Sequence, residues 1–216
     1  MNALLEAWVP GEEGGRAVAA VLVGDFNPAG RLPLSIPRSA GQIPVFYNHK
    51  PSGMHSNIYG DYTTEKAAPL FCFGHGLSYT QFEYNQLRIG KPVAAPGETV
   101  DISFTLTNSG ERAGDEVAQL YIRDEYASLP RPVKELKGFA RVPLQPGESK
   151  RVTFHLPVNQ MAYYNDNLEL VLEPGTFKVM VGSSSEEILL RDEFKVDGKA
   201  PEKISERVFV CPVSIQ

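Results

Sequence analysis

Ala68-Pro-Leu-Phe-Cys-Phe-Gly-His-Gly-Leu-Ser-Tyr-Thr80 is the stretch on which the reading of the fold turns. Ahead of it the chain is rich in Pro and Gly and carries helical spacing. Behind it apolar residues alternate with polar ones. Gly74 and Gly76, one residue apart among aromatics, call for a backbone that bends sharply beneath packed neighbours. The segment reads as a junction between two kinds of architecture.

On its C-terminal side, Val100, Ile102, Phe104 and Leu106 alternate with Asp101, Ser103, Thr105 and Thr107. Ala118, Leu120 and Ile122 repeat the pattern, as do Val152, Phe154 and Leu156, and Phe177, Val179 and Val181. Each run buries one face and wets the other, as antiparallel strands do. With Phe82–Ile89, Leu136–Val142 and a last strand beginning at Ile188, seven strands are expected, the number of an immunoglobulin-like sandwich. Asn108-Ser-Gly110, Pro96-Gly97, Pro146-Gly147 and Pro174-Gly175 supply the turns. With no Cys…Trp…Cys arrangement, a fibronectin type III-like module fits better than an antibody-type domain.

On its N-terminal side, Asn2–Trp8 and Glu12–Val23 read as two short helices separated by Pro10-Gly11, and Leu32–Ile36 as a short strand. Residues 37–69 show little periodicity, and so long a loop is unusual inside a compact domain. Two helices, one strand and an arm do not close a two-layer unit. The first third is expected to lack its packing partner and to expose apolar helix faces.

Composition sets broad bounds. The chain has 216 residues and a net charge of -5, which argues against a nucleic-acid partner. No apolar run reaches the length of a membrane span, so no membrane partner is expected. No signal peptide is expected either, although a fragment would have left its leader behind. Cys72 and Cys211 lack metal-ligand spacing and are expected to be unpaired thiols.

Three multi-residue motifs in the first third and five behind it occur in an order that resembles the C-terminal part of a glycoside hydrolase family 3 enzyme of the β-glucosidase type. They are Glu6-Ala-Trp-Val-Pro-Gly-Glu-Glu-Gly-Gly15, Gly24-Asp-Phe-Asn-Pro-Ala-Gly-Arg-Leu-Pro33 and the junction itself. Behind it stand Thr107-Asn-Ser-Gly110, Gly114-Asp-Glu-Val117, Gln119-Leu-Tyr-Ile122, Arg131-Pro-Val-Lys134-Glu-Leu-Lys-Gly-Phe139 and Leu144-Gln-Pro-Gly-Glu148. Cys72 and His75 depart from the family, which often has Pro and Tyr there. The resemblance implies a mainly β chain: residues 1–69 the C-terminal remnant of an α/β sandwich domain, 70–80 a junction, 81–196 a fibronectin type III-like β-sandwich, and 197–216 an unassigned tail. An added edge strand, a disordered tail and a sequence artefact are all open for that tail.

The same resemblance implies what the chain lacks. Retaining glycosidases need two carboxyl groups about 5 to 5.5 Å apart. The family takes its Asp nucleophile from a TIM barrel and its Glu acid/base from the sandwich domain upstream of Ala3–Trp8, so no catalytic residue transfers to this sequence. The expected role is that of a non-catalytic portion that stabilises the α/β sandwich and shapes the substrate entrance. The parent would act on a β-linked glycoside without a cofactor, with the barrel and sandwich domains as partners, in the cytoplasm, the periplasm or outside the cell. The alternative is a free-standing carbohydrate- or protein-binding module, which should show a row of exposed aromatics. An internal start of a truncated reading frame is a third possibility, compatible with the first.

The remaining chemistry-bearing residues have ordinary readings beside functional ones. Adjacent Glu12 and Glu13 point roughly 100° apart on a helix and suit its first turn rather than a shared bond. Tyr59, Asp61 and Tyr62, with Glu65, are the candidates for facing a sugar, against a solvated loop. His49, His55, His75 and His155 share no ligand spacing, so no metal is expected. His75 is expected to pack as an aromatic and His155 to be surface. Ser78 lacks a complete G-x-S-x-G, and Gly11–Gly15 lacks the Lys-Ser/Thr of a phosphate loop. Arg131, Lys134 and Lys137, next to Tyr126, are either edge charge that prevents strand pairing or a contact with the parent's other domains.

Overall fold

The structure, a computed structural model, describes residues 3–51, 55–56, 60–61 and 66–216. It is mainly β. No helix among the described residues is long and apolar enough to cross a membrane.

The seven expected strands are present: β1 (Phe82–Ile89), β2 (Thr99–Asn108), β3 (Gly114–Asp124), β4 (Glu135–Leu144), β5 (Ser149–Pro157), β6 (Gly175–Gly182) and β7 (Ile188–Val196). The tail adds β8 (Val213–Ile215). One sheet runs β8-β5-β2-β1; the other runs β4-β3-β6-β7 and ends on a short parallel strand, Val93–Ala94. Inward residues of both sheets are fully buried, among them Val100, Ile102, Phe104, Leu106, Leu120, Val152, Phe154, Val179 and Val181. Phe104 stacks between Tyr84, 5.7 Å away, and Phe154, 6.1 Å away. Each such aromatic contributes about 1.5–3 kcal/mol by leaving water, so this row of rings anchors one sheet in the core.

The turns follow their residues. Ala95-Pro-Gly-Glu98 and Gln145-Pro-Gly-Glu148 both place Gly at positive φ (81° and 73°) after Pro, the type II arrangement. In both, the Glu carboxylate accepts the N–H of the first turn residue, at 2.9 Å for Ala95 and 2.7 Å for Gln145. Strand β1 is bulged where Gln86 takes φ 57° and its register with β2 slips.

The tail takes the first of its three open readings. Strand β8 pairs with β5, Ser214 opposite Thr153, and Cys211 and Val213 pack against the core. Glu202–Lys203 extends a small sheet with Leu170–Leu172 and Tyr163–Tyr164. The two cysteines are unpaired.

The first third departs from expectation at its start. Residues Ala3–Val9 form no helix: Trp8 has φ 49°, outside helical space. Seven residues ending at Val-Pro-Gly cannot sustain an isolated helix. Helix α1 covers Gly14–Val23, two residues later than the spacing suggests, and ends on Gly24 at φ 86°. Glu12 and Glu13 therefore lie ahead of the first turn, and Glu13 caps nothing with its side chain. Leu32–Ile36 yields only a single bridge, Ile36 with Phe71, since Pro33 and Pro37 remove the donors a ladder needs.

Candidate functional site

The quoted motifs converge on one junction, where residues 24–36 and 70–80 clamp the open end and outer face of the sandwich. Residues 30–36 and 70–76 run beside each other: Leu32 N–H donates to the His75 carbonyl at 2.9 Å and Gly74 N–H to the Leu32 carbonyl at 2.8 Å. His75 stacks on Phe71, 5.4 Å between ring centres, which is the aromatic role expected of it.

The two glycines are explained by separate neighbours. Gly74 has φ 80°, and a Cβ there would stand 2.9 Å from the Gln119 carboxamide carbon and nearer still to its oxygen. Gln119 sits on the outer face of β3, where Nε2 donates to the Gly74 and Ser183 carbonyls and Oε1 accepts from the Tyr121 hydroxyl. Gly76 instead lies against the Gly30 carbonyl, 2.5 Å from where a Cβ would be, and against Arg31. The junction thus contacts the sheet through one glycine and the preceding loop through the other.

Asn27 ties three segments together. Its Oδ1 accepts from Tyr79 N–H at 2.8 Å and from Ser78 Oγ at 3.1 Å, and its Nδ2 donates to the Ala113 carbonyl at 3.1 Å. Ser78 is thereby a structural hydrogen-bond donor. The Tyr79 hydroxyl donates to the Val21 carbonyl near the end of α1, and Arg112 donates to the Gly24 carbonyl while lying over the Tyr79 ring.

Arg31 enters the end of the sandwich. Its Nη2 donates to Glu116 Oε2 at 2.8 Å, and the Tyr84 hydroxyl donates to Glu116 Oε1 at 3.0 Å. Burial, and then the Glu116 charge, push the Tyr84 hydroxyl well above its ordinary pKa. Glu116 is the buried acidic side chain among the described residues, and both its oxygens are occupied. It neutralises a buried cation and has no open face from which to attack a sugar. Sequence spacing offered one clue to it: Glu116 shares the inward parity of Ala118, Leu120 and Ile122, and a charge there demands a partner.

The arm packs on the same outer face. Tyr47 stacks on Phe73 at 4.2 Å, meets Tyr121 edge-on at 5.8 Å and accepts Leu136 N–H through its hydroxyl. The His49 carbonyl accepts Val133 N–H. A cleft of about 420 Å³ lies between arm and sandwich, lined by Phe46, Tyr47, His49, Lys134 and Glu186 among others. Of the candidates for facing a sugar, Tyr59, Tyr62 and Glu65 lie outside the described residues. Asp61 pairs its backbone with His55 in a short hairpin, and the side chains of both are likewise outside.

The basic cluster departs from its reading as exposed edge charge, and His155 from its reading as mere surface. Lys134 and Lys137 lie on or beside β4, an edge strand, yet they fold onto the chain itself. The Arg131 guanidinium lies 4.4 Å over the Tyr163 ring and bonds Glu135 at 3.0 Å. Lys134 donates to the Ser185 carbonyl and Lys137 to the Gln160 carbonyl. Burial pulls the Lys137 ammonium down, with Glu135 opposing that shift. Beside them, Tyr126 and Arg131 line a 210 Å³ hollow with Asp124, whose carboxyl burial pushes up to about 6. His155 is a clasp for the tail: Nδ1 meets Asp101 Oδ1 and Nε2 meets Ser214 Oγ, each at 2.7 Å.

Comparison with known proteins agrees with this arrangement. Residues 1–79 match the glycosyl hydrolase family 3 C-terminal domain, and residues 116–185 match the fibronectin type III-like domain. A periplasmic beta-glucosidase of Salmonella typhimurium is 43% identical over 190 residues, covering 85% of this chain and 25% of the relative. A beta-xylosidase of Formosa agariphila is 46% identical over 182 residues, covering 84% of this chain and 25% of its own length. The crystal structure of a beta-glucosidase from Listeria innocua in complex with glucose superposes with a TM-score of 0.84 at 41% identity, covering 90% of this chain and 28% of that one. The chain spans about a quarter of the length of the curated relatives it matches. The locked glycine junction, the fibronectin-like sandwich behind it and these matches over most of its length place the chain in the C-terminal region of glycoside hydrolase family 3.

Proposed function

We propose that the chain is the non-catalytic, C-terminal portion of a β-glucosidase-type hydrolase, dividing into a sandwich-domain remnant (1–69), a junction (70–80), a fibronectin-like brace (81–196) and the tail. The parent removes a terminal β-linked sugar, glucose foremost, with retention and without a cofactor. This portion stabilises the α/β sandwich domain and shapes the substrate entrance. Relatives named for glucoside and for xyloside cleavage support a β-glycoside as the substrate class.

One observation carries the reading. The first third is locked to the sandwich through Asn27, Arg31 and Tyr79, yet it presents Leu4 (65% exposed), Val9 (95%), Leu22 (71%) and Val23 (73%) to solvent, with Trp8 and Phe26 beside them. An apolar surface on a firmly braced segment suits burial against the helices and sheet of a larger layer. The test is the genomic DNA upstream of the Met1 codon. In-frame sequence coding for a barrel with an Asp nucleophile and for a sandwich segment with a Glu acid/base is expected. Stop codons directly upstream, with no such region, would refute the reading.

A further inference from the structure

Outward-facing polar residues meet across three strands of one sheet. Asp101 on β2 stands directly opposite His155 on β5, and Ser214 on β8 stands opposite Thr153, two residues from His155 on the same face. The inward neighbours Val100, Ile102, Phe154 and Leu156 are fully buried, and a slip of one residue would turn that set to water. The core therefore fixes the face on which the three side chains stand. His155 Nδ1 lies 2.7 Å from Asp101 Oδ1, and Nε2 lies 2.7 Å from Ser214 Oγ. A carboxylate only accepts, so the ring proton sits on Nδ1 and Nε2 accepts from the Ser214 hydroxyl. A hydroxyl bonded to a base that a carboxylate in turn orients is the arrangement of an activated nucleophile.

The backbone holds Ser214 from both sides. Arg151 and Gln216 exchange hydrogen bonds at 2.8 and 3.0 Å, and His155 N–H donates to the Pro212 carbonyl at 2.8 Å. Solvent reaches the group, since the His155 and Asp101 side chains are 34% and 56% exposed. Thr153, directly across from Ser214, brings a hydroxyl with no hydrogen-bond partner among the described residues. Paired residues hold their Cβ atoms about 4.5–5.5 Å apart, so this hydroxyl is placed to donate to an oxygen on a carbon bound to Ser214 Oγ. The outward neighbours on β2 and β5 are Ser103, Thr105 and Arg151, a polar surround that favours a short acyl group over a long apolar chain.

We propose that Asp101, His155 and Ser214 form a Ser-His-Asp triad that hydrolyses esters of short acyl groups. Ser214 Oγ bonds to the carbonyl carbon while its proton passes to His155 Nε2, and the Thr153 hydroxyl donates to the oxyanion. The carbon–oxygen bond to the alcohol then breaks, and His155 returns the proton to the departing oxygen. Water, deprotonated by the same nitrogen, adds to the acyl-serine, releases the acid and restores Ser214. Asp101 acts through His155 and is a positioning residue. Esters are favoured over amides because their alcohols leave more readily, and a half-exposed carboxylate is screened by water. This goes beyond the reading above and is tested apart from it, because the bond cleaved is an ester and not a glycoside.

The test is release of p-nitrophenol from p-nitrophenyl acetate by the full chain, with a fluorophosphonate probe as a second readout. Turnover above the buffer rate is expected, together with an acetyl group on Ser214 in acid-quenched samples, located by peptide mass spectrometry. Ser214→Ala and His155→Ala should each lower the rate about 100-fold. Asp101→Asn and Thr153→Val should each lower kcat about tenfold and leave KM unchanged, which a loss of fold would not do. Circular dichroism checks that the variants are folded. Labelling of Ser214 by the probe in the unaltered chain needs no variant, so the proposal stays testable if a substitution frees the tail. Absence of turnover, a Ser214→Ala rate equal to wild type (a lone histidine at work), or no probe on Ser214 would overturn the proposal.

Discussion

Replacing Gly74 by Ala tests the junction, because Gly97 provides a matched control. Both glycines sit in the left-handed region, at φ 80° and 81°. An alanine at either costs about 1–2 kcal/mol in backbone strain. They differ in surroundings: nothing lies within 4 Å of a Cβ at Gly97, whereas one at Gly74 overlaps the Gln119 carboxamide. Displacing Gln119 loosens its bonds to Ser183, Gly74 and Tyr121, and a buried polar group left unpaired costs about 1–3 kcal/mol. Gly97→Ala should therefore destabilise by about 1–2 kcal/mol and Gly74→Ala by about 2–5 kcal/mol. Guanidinium unfolding followed by far-ultraviolet circular dichroism, with the slope m unchanged, reads both values. The double variant G74A/Q119A should cost less than the sum of its parts, since Gln119→Ala removes the obstruction. Equal losses for the two single variants, or strict additivity in the cycle, would refute the argument that Gly74 exists to let the chain lie on β3.

Two further predictions concern buried charge. Glu116→Ala leaves the Arg31 guanidinium buried without its counter-ion and should cost about 3–5 kcal/mol in the same unfolding assay. Tyr84→Phe, which removes only the hydroxyl donor to Glu116, should cost about 1.5–3 kcal/mol. Asp124→Asn should stabilise the chain at pH 7.5. Burial pushes the folded carboxyl up to about 6 from its ordinary value of 3.8, so the folded state holds the proton more tightly. The penalty of ionised Asp124 is therefore absent below the unfolded value, grows as pH rises towards 6 and is complete above it. Unfolding midpoints of variant and wild type should differ at pH 7.5 and converge near pH 3.5.

The sandwich was legible because its physics is local and repetitive. Period-two runs such as Val100–Leu106, and Pro-Gly turns ahead of β2 and β5, need nothing distant to be read correctly. The junction was legible only in outline. Gly74 and Gly76 announce a tight approach, but what they approach, Gln119 in one case and the Gly30 carbonyl with Arg31 in the other, is set by tertiary placement. Asn27 is 51 residues from Ser78, with which it bonds, and no local pattern marks such a pair. The helix expected over Asn2–Trp8 rested on apolar spacing alone, which cannot form a helix without a surface to pack against. Exposed edge charge was one of two open readings for the basic run from Arg131 to Lys137, because the Tyr163 ring and the Gln160 and Ser185 carbonyls that receive it come from other parts of the chain. For the tail, the alternation at Val213–Ile215 was too short to favour a strand until β5 offered it an edge.

Turnover of an aryl β-glucoside by the purified chain tests the central claim most directly. If the brace carries no glycoside chemistry of its own, release of the aryl alcohol stays at the buffer rate across the pH range in which the chain is folded. Turnover above that rate, abolished by replacing one of this chain's own carboxylates, would contradict the account.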